Sequence, residues 1–144
     1  MYRIPRYRVC LVREGAHSSE VRAINSPADA YSLLRTYLDG SDREHFVTVL
    51  VDTKNKVIGI NTVSVGALNT TIVHPREVFK PAILCNAASV LLAHNHPSGD
   101  ATPSEDDKAV TQRLRDAGTI LGITVLDHII IGEGYFSFKA QGLI

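Results

Sequence analysis

Residues 87–107, AASVLLAHNHPSGDATPSEDD, run from an apolar stretch into a dense group of polar side chains. The apolar part, residues 87–94, has the length and composition of one buried strand. A proline and a glycine within residues 97–99 end the strand and let the chain turn back sharply. Pro103-Ser104 then predicts the start of a helix that continues to about Leu121. This order of elements returns the start of the helix to the end of the strand.

The end of this strand carries two histidines on one face. Side chains two residues apart in a strand point the same way, so His94 and His96 can bind one small cation together. Asp107 falls in the first turn of the following helix, close to the strand's end. Two nitrogens and one carboxylate oxygen leave a fourth tetrahedral position for water, which is the pattern of a catalytic zinc site. Asn95 points to the opposite face and is not a ligand candidate.

Structural interpretations of the same residues compete with the metal site. An isolated His-x-His pair is more often a polar strand end than a pair of ligands. Ser104 and Asp107 stand three residues apart at a helix start, which is nearly a capping box, and acidic residues there suit the helix dipole. These explanations cover each residue separately but account poorly for their conjunction, so we prefer the metal site.

Two other motifs do not fit the sequence. The nuclease motif named after His-Asn-His draws its residues from well-separated positions, so the string at residues 94–96 is a coincidence of letters. The zinc deaminase pattern requires Pro-Cys-x-x-Cys, and the two cysteines of this chain, Cys10 and Cys85, lie elsewhere.

The rest of the chain alternates between strand and helix patterns. Strands mixed with helices and hairpins predict an α/β fold in which helices pack around a mixed sheet. We expect one domain over residues 1–144, with residues 1–25 as an N-terminal strand or edge segment. The further expected elements are a strand at 7–13, a helix opened by Ser26-Pro27 and closed at Gly40, a hairpin of strands 45–52 and 57–65, a short strand at 70–73, a helix opened by His74-Pro75 and distorted at Pro81, and strands 123–131 and 135–138.

Composition is that of an ordinary globular protein. The chain has 144 residues, of which 44% are hydrophobic and 21% charged. Its 15 basic and 15 acidic residues give a formal net charge of zero, whereas nucleic-acid binders normally carry a basic surplus. The basic lean of the first 25 residues favours a solvated edge over a docking arm.

Three features predict a cytoplasmic protein without a membrane partner. The first residues lack an apolar signal region, and the longest apolar stretch is too short to span a bilayer. Cys10 and Cys85 each lie in an apolar run, which favours small buried thiols in a reducing compartment. Oligomeric state stays open, because exposed strand edges can pair.

These motifs closely resemble the JAB/MPN-plus (JAMM) metallopeptidase superfamily. Its signature is a glutamate, then His-x-His-Pro, then Ser-x-x-Asp. Here the signature reads Glu44, residues 94–97 and residues 104–107, with ten residues between His96 and Asp107.

The RadC-like branch of that superfamily is the narrower resemblance. Residues 75–79 (PREVF), 94–100 (HNHPSGD) and 126–132 (LDHIIIG) are typical of it. The resemblance covers about residues 25–144. It implies the JAB/MPN, cytidine-deaminase-like three-layer arrangement, with helices around a mixed, largely antiparallel central sheet. Branch members often carry an N-terminal helix-hairpin-helix module, and we expect none here, which weakens a nucleic-acid role.

The resemblance also implies a role for each signature residue. His94, His96 and Asp107 match the ligands of one zinc ion. Glu44 matches the catalytic glutamate, which deprotonates the zinc-bound water and passes the proton to the leaving amine. Ser104 matches the serine that stabilises the oxyanion of the tetrahedral intermediate.

Chemistry derived from the residues alone agrees but leaves the general base open. Zinc lowers the pKa of a bound water, and a nearby carboxylate can then act as the base. Without the resemblance, Asp52, Glu77 and Asp100 compete with Glu44 for that part. The resemblance favours Glu44, which stands directly before a strong strand pattern.

Asp127-His128 is a polar pair inside an otherwise apolar strand. Buried polar groups need partners. A role in orienting a metal ligand and a satisfied pair in the core are equally open.

The preferred prediction is a zinc-dependent peptidase or isopeptidase that acts on a protein or peptide, with Glu44 as general acid and base. One alternative is a DNA-repair-associated or nuclease-like RadC-type accessory protein, which salt-sensitive DNA binding would favour. The other alternative is a non-catalytic interaction module, against which the intact set of metal-binding residues argues.

Overall fold

The structure is a computed structural model that describes residues 1–66 and 73–144, and these residues form a five-stranded sheet with three helices. The elements in chain order are α1 Pro27–Tyr37, β1 His45–Val51, β2 Val57–Val65, α2 Pro75–Leu84, β3 Ser89–Asn95, α3 Glu105–Leu121, β4 Thr124–Ile131 and β5 Tyr135–Ser137.

The sheet has the strand order β2-β1-β3-β4-β5. β1 runs antiparallel to both of its neighbours, and β5 runs antiparallel to β4. β3 and β4 are parallel, and α3 makes the crossover connection that a parallel pair requires. The predicted mixed, largely antiparallel sheet is confirmed.

Helices cover both faces of the sheet, so its central strands are buried along nearly their whole length. On one face α1 packs against β4, and Leu34 lies in the same cluster as Val49 of β1 and Ile129 of β4. On the other face α2 and α3 pack together, and Leu114 of α3 shares a cluster with Phe46 and Leu92. Every β1 residue after the first is buried. The structure therefore has the three layers that the resemblance implies.

The predicted serine caps are confirmed, but α1 ends at Tyr37, three residues before the predicted closing residue Gly40, because the Leu38 N–H already makes the last helical bond to the Leu34 carbonyl. Ser26 caps α1 and Ser104 caps α3, each through a side-chain oxygen that accepts a backbone N–H. α3 ends at Gly122, whose φ of 73° lies in the left-handed region. α2 continues through Pro81 instead of restarting there, since a proline inside a helix removes only one backbone donor when its ring is accommodated.

The predicted strand at residues 7–13 is wrong. These residues are exposed and take no regular structure, and the N-terminal segment first pairs with the sheet at the isolated bridge between Ala23 and Lys56. The apolar run at residues 9–12 fits a strand, but a strand persists only where a neighbouring edge supplies hydrogen bonds. Cys10 in this segment is exposed, so the expectation of two buried thiols holds only in part. Cys85 is half-buried, and both thiols are free.

The strand expected at residues 70–73 lies outside the described residues except for its last member. Within the described ranges, no helix combines the length and the apolar content needed to cross a membrane.

Candidate metal centre

Three titratable side chains converge where β3 ends and α3 begins. The Nε2 atoms of His94 and His96 are 3.0 Å apart. Asp107 places Oδ1 3.2 Å from Nε2 of His94 and Oδ2 3.4 Å from Nε2 of His96. Among the described residues, these three form the group of histidine, cysteine and carboxylate side chains close enough to hold one metal ion.

The spacing of these atoms fits a tetrahedral ion. Zinc bonds of about 2.0–2.2 Å to nitrogen and oxygen place neighbouring ligand atoms about 3.3–3.6 Å apart. The observed separations are 3.0 to 3.4 Å, so shifts of a few tenths of an ångström suffice. The side chains of His94 and Asp107 are buried, whereas that of His96 is 14% exposed. One side of the group therefore faces solvent, where a fourth ligand can enter.

Asp107 belongs to the helix cap and to the metal-binding group at the same time. Its N–H donates to Oγ of Ser104 at 3.0 Å, and its Oδ2 accepts the N–H of Ser104 at 2.8 Å. This is a complete capping box, with aspartate in the place of glutamate. Burial alone raises the pKa of the Asp107 carboxyl, but the hydrogen bond and charge of His94, together with the Ser104 bonds, hold that pKa well below its usual range.

A chain of hydrogen bonds fixes which nitrogen of His94 carries its proton. The Thr111 hydroxyl donates to the Asp107 carbonyl at 2.7 Å, so its oxygen accepts the Nδ1–H of His128. Complete burial holds the pKa of His128 well below its ordinary value, which keeps the ring neutral. Its Nε2 therefore accepts the Nδ1–H of His94 at 2.8 Å. When His94 carries a single proton, its lone pair therefore lies on Nε2, the atom that faces Asp107 and His96. A second proton, on Nε2, makes the hydrogen bond to Asp107 in the metal-free protein.

His96 is oriented in the same way by a backbone carbonyl. Its Nδ1 lies 2.7 Å from the carbonyl oxygen of Asp100, which can only accept, so Nδ1 carries the proton and Nε2 the lone pair. The turn that supplies this carbonyl is held against the end of β4, because the N–H of Glu133 donates to the carbonyl of Gly99 at 2.8 Å. A side chain on Gly132 would overlap the backbone of Gly99, so glycine is required there.

Asp127 and His128, the polar pair in β4, contact different parts of the structure. His128 contacts His94 as described and is wholly buried. Asp127 instead anchors the C-terminal turn: its carboxylate accepts the Ser137 hydroxyl and the N–H of Lys139, the latter at 3.0 Å. The structure thus places His128 in hydrogen-bond contact with His94, as a role in orienting that residue requires, and makes Asp127 a satisfied core residue.

Ser104 lies at the solvent side of the group, where α3 begins. Its oxygen accepts the capping bond from Asp107, which uses a lone pair and leaves the hydroxyl hydrogen able to donate. Its side chain is exposed, so a substrate oxygen can approach it. Capping and oxyanion stabilisation are therefore chemically compatible at this residue.

Glu44 lies directly before β1 and is half-buried. β1 and β3 pair with Phe46 opposite His94. This is the last pair of that ladder, so Glu44 lies two residues beyond it, at the end of the sheet where His96 follows β3. Glu44 is not a member of the three-residue group itself.

The three competing carboxylates all have local partners in the described residues. Asp52 lies at the other end of β1, where its Oδ1 accepts two backbone N–H groups of the β1–β2 turn. Glu77 forms an exposed ion pair with Lys80 on α2. Asp100 accepts the hydroxyl and N–H of Thr102, and the hydroxyl bond lowers the pKa of its carboxyl.

Sequence reasoning missed Thr111. It stands one turn after Asp107 in the helix, and threonine bonding to the carbonyl four residues earlier is a common local feature. Its contact with His128 depends on how α3 packs against β4, which the linear sequence does not reveal. The signal that the sequence offers is a polar residue on the apolar face of the predicted helix, next to Val110 and Leu114.

A cleft of about 390 Å³ opens beside His96. It lies between the end of α1 and the β4–β5 turn, and its lining includes Tyr31, Arg35 and Glu133. The cleft gives a substrate segment a path to the exposed side of the metal-binding group.

Comparison with known proteins adds a family match to this geometry. A family model described as a RadC-like JAB domain matches residues 24–143. A UPF0758 protein of Rubrobacter xylanophilus is 60% identical over 121 residues, which are 84% of this chain and 53% of that protein. A UPF0758 protein of Caldanaerobacter subterraneus subsp. tengcongensis is 52% identical over 136 residues, 94% of this chain and 57% of that protein. A UPF0758 protein of Moorella thermoacetica is 56% identical over 122 residues, 84% of this chain and 53% of that protein. The chain therefore spans about half the length of the curated relatives it matches.

Replacing Thr111 with valine tests the hydrogen-bond chain. Valine keeps the shape but removes the acceptor for Nδ1–H of His128, so we expect zinc affinity to fall about 10- to 100-fold. Competition with a chromophoric chelator measures this. Thr119→Val is the matched control, because Thr119 makes the same bond to the carbonyl four residues earlier on α3 but is exposed. Equal zinc affinities of the two variants would contradict the role of the hydrogen bonds that run from Thr111 through His128 to His94.

Proposed function

The chain belongs to the RadC-like JAB domain family, and from that premise we propose that it is a zinc-dependent hydrolase that cleaves peptide or isopeptide bonds in a protein substrate. The chain matches only part of its relatives, so the proposal concerns what this domain's own residues can do.

One observation carries the proposal: two imidazole lone pairs and a carboxylate converge on one point. Their own partners hold the Nδ1 protons of His94 and His96 away from that point. Their Nε2 atoms lie 3.0 Å apart, so two lone pairs there repel each other unless a proton or a metal ion lies between them. Neutral imidazoles with one carboxylate in a tetrahedral arrangement suit zinc.

Zinc bound there would supply Lewis-acid chemistry, since it lowers the pKa of a bound water towards neutrality and polarises a carbonyl. Glu44 then accepts a proton from the attacking water and returns it to the leaving nitrogen. Its position two residues before Phe46, the partner of His94 in the sheet, supports this assignment. Ser104 donates its hydroxyl hydrogen to the oxyanion that forms on the scissile carbonyl.

A protein or peptide substrate suits the surroundings better than a nucleic acid. The cleft beside His96 presents one arginine, Arg35, and two acidic side chains, Asp39 and Glu133. A phosphate backbone requires a predominantly basic surface, whereas a peptide segment tolerates mixed charge. Zero formal net charge points the same way.

Single alanine substitutions of His94, His96 and Asp107 test the metal site. Each removes a ligand, so we expect zinc affinity to fall by more than about 100-fold while the helices and strands persist. Metal analysis after dialysis against dilute zinc measures the loss, with circular dichroism as the fold control. His17→Ala removes an exposed histidine and should retain the wild-type zinc content. Full zinc occupancy in the three ligand variants would end the proposal.

The substitution Glu44→Gln tests proton transfer by Glu44 independently of zinc binding. Glutamine keeps the size of the side chain but cannot accept the proton, so hydrolysis should fall by about 10²- to 10⁴-fold with zinc content unchanged. Release of fluorescence from a quenched peptide library measures turnover. Glu77→Gln, which changes an exposed carboxylate on α2, is the matched control. Unchanged turnover in Glu44→Gln would move the base to another residue.

A further inference from the structure

Asn95 stands between the two histidines and uses both ends of its side-chain amide. Its Oδ1 accepts the backbone N–H of His45 at 2.7 Å. Its Nδ2 donates to the backbone carbonyl of Arg43 at 2.9 Å. The residue is only 7% exposed, so water does not replace these bonds readily. These partners fix which end of the amide is oxygen and which is nitrogen, since a backbone N–H can only donate and a carbonyl can only accept.

The two backbone groups held by Asn95 flank a single residue, Glu44. The Arg43 carbonyl belongs to the peptide plane before the Cα of Glu44, and the His45 N–H belongs to the plane after it. Peptide planes are rigid, so holding both planes restricts φ and ψ of Glu44 and thereby the direction in which its Cα–Cβ bond leaves the backbone. The N–H of Gly66 holds the second plane from the side of β2, donating to the Glu44 carbonyl at 2.8 Å.

The end of the β1–β3 ladder explains why a side chain is needed at this point. Backbone pairing between the two strands stops at Phe46 and His94. Beyond it, the N–H of His96 is engaged on the other side, with the carbonyl of Ile131 on β4 at 2.8 Å. The backbone of β3 therefore no longer holds the segment before β1, and the Asn95 amide, with one donor and one acceptor, continues the ladder.

We propose that Asn95 is a positioning residue for Glu44, an inference that rests on the proposed function. The side chain lies between His94 and His96 in sequence and so links the general base to the strand that carries both imidazoles. The distance between the Glu44 carboxylate and a bound metal ion would then depend on Asn95 of β3. It would depend less on the conformation of the other residues before β1. An error of about 1 Å in such a separation can cost 10²-fold in rate.

The test compares Asn95→Ala and Asn95→Asp with Ser89→Ala, a polar residue at the opposite end of β3. Alanine removes both bonds, whereas aspartate keeps the acceptor for His45 and loses the donor to Arg43, with almost no change of volume. We expect zinc affinity within about 3-fold of wild type, KM within about 3-fold, and kcat lower by about 10- to 100-fold in both Asn95 variants. Ser89→Ala should match wild type throughout.

A cobalt-loaded protein gives a readout that does not depend on turnover. The visible absorption band of Co²⁺ reports the group hydrogen-bonded to its exchangeable ligand, so Glu44→Gln and Asn95→Ala should shift the band in the same direction. In the Glu44→Gln background, Asn95→Ala should cause no further shift. Amide hydrogen exchange at His45 should be at least about 10-fold faster in Asn95→Ala, because the bond from the His45 N–H to Oδ1 of Asn95 is lost.

Each outcome bears on a different claim. A wild-type cobalt spectrum and wild-type kcat in both Asn95 variants would overturn the positioning role. An equal shift with and without the Glu44 carboxylate would also overturn it, because the effect would then bypass Glu44. Failure of the wild-type chain to bind cobalt would overturn the proposed function and the positioning role with it. If Asn95→Ala does not fold, the nearly isosteric Asn95→Asp decides the question by the same measurements.

Discussion

A buried imidazole must find a partner for both of its nitrogens, and this constraint organises the centre of the molecule. His94 satisfies it at Nδ1 through a series of bonds, in which the Asp107 carbonyl accepts from Thr111, Thr111 from His128, and His128 from His94. Its Nε2 faces Asp107 and His96. This series of bonds ties α3 to β4 and β4 to β3, so the packing of three elements decides the tautomer of one ring. A lone pair directed at the neighbouring carboxylate and at His96 is the consequence.

Several residues around the candidate metal-binding group serve the fold and, in the proposed function, would serve the chemistry as well. Asp107 caps α3 and offers oxygen atoms to an ion, and Ser104 accepts the capping bond while it keeps a hydrogen to donate. Asn95 extends a strand ladder and orients the segment that holds Glu44. Because the same bonds stabilise the fold and align the group, little reorganisation is required when an ion binds. Preorganisation of this kind is what electrostatic catalysis depends on.

The sequence reveals those features whose causes are local. The hydrophobic patterns predict β1 and α3 within a residue of their observed bounds, and the two-residue strand period brings His94 and His96 to one face. Residues 7–13 carry an equally regular pattern, yet they form no strand, because pattern alone provides no neighbouring edge. The contact of Thr111 with His128 and the two hydrogen bonds of the Asn95 amide were not predictable either. Their partners lie 17 and about 50 positions away in the chain, and only the packed sheet brings them together.

The central claim is that His94, His96 and Asp107 hold one ion through atoms that their hydrogen-bond partners have already oriented. A crystal structure of the chain grown with zinc, with the metal located by anomalous diffraction at its absorption edge, tests it most directly. We predict one zinc peak bonded to Nε2 of both histidines and to a carboxylate oxygen of Asp107 at about 2.0–2.2 Å, with its remaining position facing Glu44. Zinc held through Nδ1 of either histidine, or bound elsewhere while these three side chains stay metal-free, would contradict the account.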